Sequence, residues 1–536
     1  MKKFLLCLAL LSVIFCYSQE DALVYFKDKP DAEFYLANPL EMLSQKALNR
    51  REKQGISLDD KDVPVASQYV DTISSTEGIT VMAKSKWFNA LHIRGSIEAI
   101  TSLKNLSFVS GIDFADKTLN INGRVSITKM QHDAAENLEP EIVFDYGNSA
   151  NQVQMLNGHL LHQQNFTGKG MSIAVLDAGF PNVDVTDPFK RLRENNQIKG
   201  GYNLVNRSDN FYTGGTHGTM VLSTMGGYVD GRLVGTAPDA SYYLFVTEDT
   251  TSENPVEESY WVEAAEMADS LGVDVINTSL GYFIYDNVRY DHTYEQMNGE
   301  TAFISRGANV AATRGILCVV SAGNSAATAN PYISAPADAL GVLTVGSVDA
   351  NRNYSSFSSI GPSFDGRVKP DVMARGSQAT IATVDGDIGA NSGTSFSGPI
   401  TSGLVACLWQ ALPEKTNVEL IDIIRQSADR YNAPTPQYGY GIPDFNEALK
   451  SGWSSTVEEI KFTVYPNPAD DNLYFLFPDK VTNATVFIFN SIGQKVIDQS
   501  VSVTDTFLDI SGLATGVYSY RIEALGINQK GRIVKN

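Results

Sequence analysis

The chain has 536 residues, of which 43% are hydrophobic and 19% charged, with a formal net charge of −20 and a pI near 4.7. That length exceeds one compact domain, and the composition is that of a chain able to bury a substantial core. Such acidity argues against nucleic acid as the main partner, since phosphate binding needs a basic face, and it suits a soluble exported protein.

The first element in chain order is an address. "MKK" supplies positive charge, and "FLLCLALLSVIF" is an apolar run of signal-peptide length, too short to span a membrane comfortably. Small residues at Cys16 and Ser18 predict cleavage after Ser18, with a lipidated Cys16 as the rival reading. No later apolar run is long enough for a transmembrane helix. With Cys7 and Cys16 inside the signal, only Cys318 and Cys407 remain, so there is no disulfide framework. Both lie in apolar runs and read as buried thiols, although a single bridge is left open.

Residues 19–140 have the texture of a small α+β unit. "NPLEMLSQKALNRREKQGI" is charged and helical in character. An alternating strand from Trp87 to Arg94 leads into a helix from Ser96 to Leu103 and a second strand from Phe108 to Ile112. The polar piece Lys117–Glu141 reads as a linker.

Residues 141–452 alternate short apolar strands with helices. The strands are "SIAVLDAG", "YYLFVT", "VDVINTSLG", "ILCVVSAGN" and "VLTVGSVD". Helices are predicted over Gly218–Met225, Val256–Leu271 and Ser397–Leu412. Near-continuous apolar strands between helices predict a mainly parallel sheet covered on both faces, with sites at the strands' carboxyl ends. Several of those ends are polar: Asp177, Asn277 with Ser279, and Asn324. After a linker at 453–462, residues 463–536 lose the helical period and alternate as an antiparallel β-sandwich.

The stretch "NSGTSFSGP" places Ser392, Ser395 and Ser397 directly before an apolar helix. A serine hydroxyl is a poor nucleophile without an adjacent base, usually a histidine held by a carboxylate. Of the six histidines, only His217 sits among small residues, in "GGTHGTMV". His159 and His162 share a helical face but lack further ligands for a metal, so they read as a solvated or half-buried face. Asp177 directly follows a buried strand, where an ionised carboxylate is costly unless paired; by itself it also reads as a turn residue.

Taken in order, "VLDAGF", "THGTMV" and "SGTSFSGP" resemble the three active-site motifs of the subtilisin-like (subtilase) serine peptidases, whose chain order is Asp, His, Ser. "NTSLG" and "VVSAGN" resemble that family's substrate-binding strand and oxyanion segment, and the likeness runs from about Tyr146 to Leu449. The resemblance implies Ser395 as nucleophile, His217 as general base and acid, and Asp177 as the residue that fixes the imidazole. Asn324 would then be an oxyanion donor beside the Ser395 N–H. It also implies Ser279, Leu280 and Gly281 as the edge that pairs with an extended peptide, and Ser334 at the base of the primary specificity pocket. One departure touches the chemistry: Ala178 stands where the family has Ser or Thr after the aspartate. No cofactor is needed for the reaction. Calcium is frequent in the family, but no compact Asp-rich loop locates it here.

The flanks gain meaning from the same likeness. Residues 19–140 resemble a subtilase propeptide, a folding chaperone and temporary inhibitor. Residues 463–536, with "YPNP" and "GLATGVY", resemble the sorting domain of the type IX secretion system of Bacteroidetes. The resulting expectation is a precursor of signal, propeptide, peptidase and sorting domain. It would act on protein or peptide substrates, bind its own propeptide, and reach the cell surface or exterior through the secretion machinery across the outer membrane. A secreted peptide-binding pseudoprotease is the alternative.

Overall fold

Strands apolar on one face need one cover, and strands apolar on both need two. The computed structural model contains both kinds, and describes residues 19–120, 144–456, 462–477, 483–490, 493–504, 506–524 and 527–536. The signal peptide with Cys7, Cys16 and the Ser18 cleavage lies outside these residues. So do most of the Lys117–Glu141 linker, with His132 and the 140/141 boundary, and residues 457–461 of the second linker. The chain divides into two units, Met1–Gly452 and Trp453–Asn536.

The amino-terminal part of the first unit is a four-stranded antiparallel sheet. Its strands are β1 (Glu20–Phe26), β2 (Ile79–Ser85), β3 (Ala90–Gly95) and β4 (Val109–Phe114), in the order β2-β3-β1-β4. The strand expected from Trp87 begins only at Ala90. Asn89 takes a left-handed φ of 50° and closes the turn that pairs Ser85 with Ala90, so Trp87 and Phe88 belong to the hairpin. The charged piece forms helix α1 (Gln45–Lys53), capped by Ser44, whose hydroxyl accepts from Ala47 N. Helix α2 (Ser67–Ser74) follows α1, and helix α3 (Ile97–Ser102), after β3, is capped in the same way by Ser96.

The remainder of this unit is built on seven parallel strands: β5 (Ser172–Asp177), β6 (Ile198–Asn203), β7 (Ser241–Val246), β8 (Val275–Thr278), β9 (Leu317–Ser321), β10 (Val342–Val348) and β11 (Val372–Arg375). Their order is β11-β10-β9-β8-β5-β7-β6. The last and the second of these, β11 and β6, were not anticipated: β6 is glycine-rich ("IKGGYN") and β11 spans four residues. Every residue of β5, β8, β9 and β10 is buried. Alternate side chains serve the two faces. Ala174, Leu176, Ile276, Cys318 and Val320 share a core with Trp261, Ala265, Ile304 and Ala308 of helices α5 (Val256–Leu271) and α6 (Phe303–Thr313). Helices α4 (His217–Gly226) and α7 (Thr394–Ala411) complete the unit's central elements, with α7 packed along β8 to β11. Cys318 and Cys407 are free and buried, on β9 and α7 respectively.

His162 departs from expectation, being fully buried. Its Nε2–H donates to the Thr236 carbonyl at 3.0 Å, and Nδ1 accepts from the Tyr146 hydroxyl at 2.7 Å, so the neutral ring is fully bonded. Burial pushes its pKa down to about 4. Between pH 6.5 and about 4 the unfolded chain therefore binds a proton that the folded chain refuses. The stability this histidine secures is complete above pH 6.5 and drains as pH falls towards 4, by about 3 kcal/mol in total. Denaturation of an inactive variant at pH 7 and 4.5 checks this: His162→Gln is expected to show a smaller loss between the two pH values than its parent.

Among its described residues the second unit has seven strands, β12 (Thr463–Tyr465), β13 (Asn472–Leu476), β14 (Asn483–Phe489), β15 (Lys495–Ser502), β16 (Phe507–Asp509), β17 (Gly516–Ala524) and β18 (Ile527–Lys535). They form antiparallel sheets β12-β13-β16 and β15-β14-β17-β18. The two sheets share a core in which Leu473 and Phe475 meet Val486, Ile488 and Ile522, as the period-two alternation requires.

Candidate active site

The candidate side chains gather where the parallel sheet ends at its carboxyl edge. Asp177 is the last residue of β5 and is fully buried. His217 is the first residue of α4. Gly215 N donates to the Ala178 carbonyl at 2.8 Å. A side chain on Gly214, whose φ is 84°, would come within 2.4 Å of that same oxygen. Gly218 is as tight, 2.5 Å from the Gly179 carbonyl oxygen. These glycines let the start of α4 close onto the end of β5, and His217 Nδ1–H donates to Asp177 Oδ1 at 2.8 Å. The charge on Asp177 raises the His217 pKa above the ordinary imidazole value. Burial opposes this, and the hydrogen bond adds to it.

Asp177 is not fully satisfied. Oδ1 also accepts from Ala178 N at 2.7 Å, whereas Oδ2 is buried and accepts nothing among the described residues. Alanine at 178 has no hydroxyl to offer, and unpaired buried oxygens of this kind are uncommon.

Ser395 is the second residue of α7. Pro399 lies one turn on and has no N–H, so the Ser395 carbonyl lacks its helical donor. The Ser279 hydroxyl takes that place at 3.1 Å, and Ser395 Oγ donates in return to the Ser279 carbonyl at 3.4 Å. The proline in "GTSFSGP" thus fastens the start of α7 to the end of β8. Its two neighbouring serines are otherwise engaged: Ser392 Oγ accepts from Gln378 N at 3.0 Å, and Ser397 Oγ donates to the Thr394 carbonyl at 3.0 Å.

Asn324 follows β9, and its Oδ1 accepts from both Thr394 N (2.9 Å) and Thr394 Oγ1 (3.1 Å). With the oxygen turned to Thr394, the Nδ2 group faces the other way. A side-chain carbon on Gly393 would lie 3.7 Å from Asn324 Nδ2 and 3.7 Å from Ser395 N, so two donors converge on one small space. Thr394 was not singled out from sequence, although a hydroxyl residue directly before Ser395 in "GTS" was the available signal. Glu248 was also missed, and no motif marks it. It accepts from Tyr282 O–H at 2.5 Å, and burial pushes its carboxyl up to about 8.

Beside this cluster, the backbones of Leu280 and Gly281 make no hydrogen bond among the described residues, and the edge pairs again only at Tyr282, with Ala335. Ser334 Oγ lies where a Gly281 side chain would begin, at 2.4 Å, and 3.4 Å from the same point on Gly323, so it sits between the two glycine-bearing segments. No group of three or more His, Cys, Asp or Glu side chains placed to hold a metal occurs among the described residues, and calcium is assigned no ligands.

The model of the subtilase family matches residues 168–441. The chain belongs to the subtilase family. Residues 21–134 of this subtilase match the peptidase S8 propeptide domain of Bacteroidota, and residues 463–536 match a secretion system C-terminal sorting domain. Subtilisin NAT of Bacillus subtilis subsp. natto is 28% identical over 316 residues, 58% of this chain and 74% of that protein. Serine protease AprX of Bacillus subtilis (strain 168) is 29% identical over 309 residues, 52% of this chain and 66% of its own. A solved structure of MycP1 with its propeptide removed aligns at 25% identity and a TM-score of 0.44, over 56% of this chain and 96% of that one. The subtilase is a serine-type endopeptidase. Its sorting domain marks it for secretion or the cell surface, and no described helix is long and apolar enough to cross a membrane.

Proposed function

We propose that this subtilase hydrolyses peptide bonds through an acyl-enzyme on Ser395. His217 takes the serine proton and returns it to the leaving amine, and Asp177 fixes the ring tautomer and stabilises the imidazolium. Asn324 Nδ2 and the Ser395 N–H receive the oxyanion. The observation that carries the reading is the convergence of those two donors beside a serine whose histidine is already paired to a buried carboxylate. The 3.4 Å bond from Ser395 Oγ to Ser279 is long and weak, so it holds the hydroxyl only loosely. An extended peptide would pair with Ser279–Gly281 and lower its leading side chain towards Ser334. Residues 1–18 act as signal, 19–140 as a propeptide removed on activation, 141–452 as the peptidase, and 463–536, after the linker 453–462, as the sorting domain.

A fluorophosphonate probe tests this. Labelling of the mature enzyme should persist in Ser397→Ala and vanish in Ser395→Ala; unlabelled mature enzyme would favour the pseudoprotease. Asn324→Ala is expected to lower kcat by about 10²–10³-fold with little change in KM, the loss that removal of the equivalent donor causes in subtilisin itself. Steady-state kinetics on one peptide substrate measure it.

A further inference from the structure

Between the edge at Ser279–Gly281 and helix α6, the chain makes an excursion whose segment 290–296 holds an ammonium. Lys117 Nζ donates to the Asp291 carbonyl at 3.0 Å, to Gln296 Oε1 at 3.0 Å and to the Tyr290 carbonyl at 3.3 Å, and His292 Nδ1 lies 3.4 Å away. An ammonium has three protons to give, and here each finds an oxygen. Among the described residues the two carbonyls accept from nothing else.

This cradle belongs to the peptidase and is braced without Lys117. His292 N donates to the Phe283 carbonyl at 2.9 Å, and Tyr285 N donates to Asp291 Oδ1 at 2.8 Å, so the excursion closes on itself. His292 Nε2–H donates to Glu258 Oε1 at 2.9 Å. Glu258 lies in the first turn of α5, and its other oxygen accepts from Ile304 N of α6 at 2.9 Å. Gln296 forms a capping box with Thr293, whose N–H donates to the same Oε1 at 3.2 Å. None of these bonds passes through the amino-terminal part. That part touches the excursion twice more, Asp116 pairing with Arg289 and Glu20 accepting from the Tyr290 hydroxyl, and neither contact uses a cradle oxygen.

The surroundings select the kind of cation. Desolvation of the ammonium lowers the Lys117 pKa, and the charges of Glu258 and Asp291 oppose that by favouring a cation. The atoms that face it are neutral: two backbone carbonyls, one amide oxygen and one imidazole nitrogen. Calcium takes about 6–8 oxygens with carboxylates among them. Neutral carbonyl oxygens suit a potassium-sized ion, whose hydration shell they replace.

We propose that the segment 290–296 is a monovalent-cation site, filled by the Lys117 ammonium in the precursor and by a potassium or ammonium ion once residues 19–140 have gone. Its use in the mature enzyme rests on those residues being a removable propeptide, whereas the site itself does not. The test therefore uses the full-length chain with Ser395→Ala, and Lys117→Ala, at an exposed position, empties the cradle while the amino-terminal part stays in place. Melting temperatures are read at equal ionic strength in potassium, ammonium, choline and calcium chlorides. In Lys117→Ala, potassium or ammonium at about 100 mM is expected to raise the melting temperature by about 1–3 °C over choline. The parent, its cradle filled, should show no such difference, and Lys117→Ala combined with Gln296→Leu should lose the gain. An equal gain in the parent, a gain that survives Gln296→Leu, or no gain in Lys117→Ala would overturn the site. A gain that calcium reproduces would overturn the monovalent assignment. Failure of the propeptide reading would show separately, as active enzyme whose sequence begins near Gln19.

Discussion

Ser395→Ala is expected to cut kcat for peptide hydrolysis by about 10⁶-fold while leaving the protein folded. The size is the one subtilisin itself shows when its serine or histidine is removed, and is carried over from that relative. The intact fold follows from the local bonding. The hydroxyl makes one 3.4 Å bond, whereas the contact that holds the start of α7 is the Ser395 carbonyl accepting from Ser279 Oγ. Alanine keeps that carbonyl, so the stability change should stay within about 1 kcal/mol. The same variant should accumulate uncut before about residue 141. Burst kinetics with an activated ester, together with the N-terminal sequence of the purified chain, test both. A variant that kept a tenth of the parent's activity would end the assignment. Ser397 could not be its substitute, because its hydroxyl is bonded inside the first turn of α7.

The parts of the site legible in sequence are those where chemistry demands a residue type. A nucleophile needs a base and the base needs an acid, and the glycines about His217 signalled a close backbone approach that the 2.8 Å pairing with Asp177 makes concrete. The central strands were legible because burial on both faces forces continuous apolar runs. What escaped was set by partners distant in sequence. Thr394 orients Asn324 across 70 residues, and Ser279 replaces the donor that Pro399 lacks across 116. Neither relation leaves a periodic trace. His162 misled for a related reason. Two polar histidines at i and i+3 suggest a wet face, yet Tyr146 and the Thr236 carbonyl satisfy that ring in the interior. The edge strands were lost because short or glycine-rich runs lack the pattern that burial imposes on central ones.

Asp177→Asn carries the second large expected loss, about 10⁴-fold in kcat, the size seen when the triad carboxylate is neutralised in trypsin, on an unrelated fold, or removed in subtilisin. Its distinctive mark is in the pH profile. The base must be neutral to accept the serine proton, so kcat/KM climbs with pH and levels off above the His217 pKa. Asp177 is the chief cause of that raised value. Removing its charge leaves burial, which acts in the opposite direction, so the rising limb should move to lower pH as the plateau falls. Ala178→Ser makes a contrast: its hydroxyl would offer a donor to the unpaired Oδ2 while the charge beside His217 stays. That variant should hold the limb near the parent's position and change the plateau by no more than a few-fold. Rates of fluorophosphonate acylation between pH 5 and 9 separate the cases. If the limb of Asp177→Asn stayed in place, Asp177 would not be the charge that sets His217.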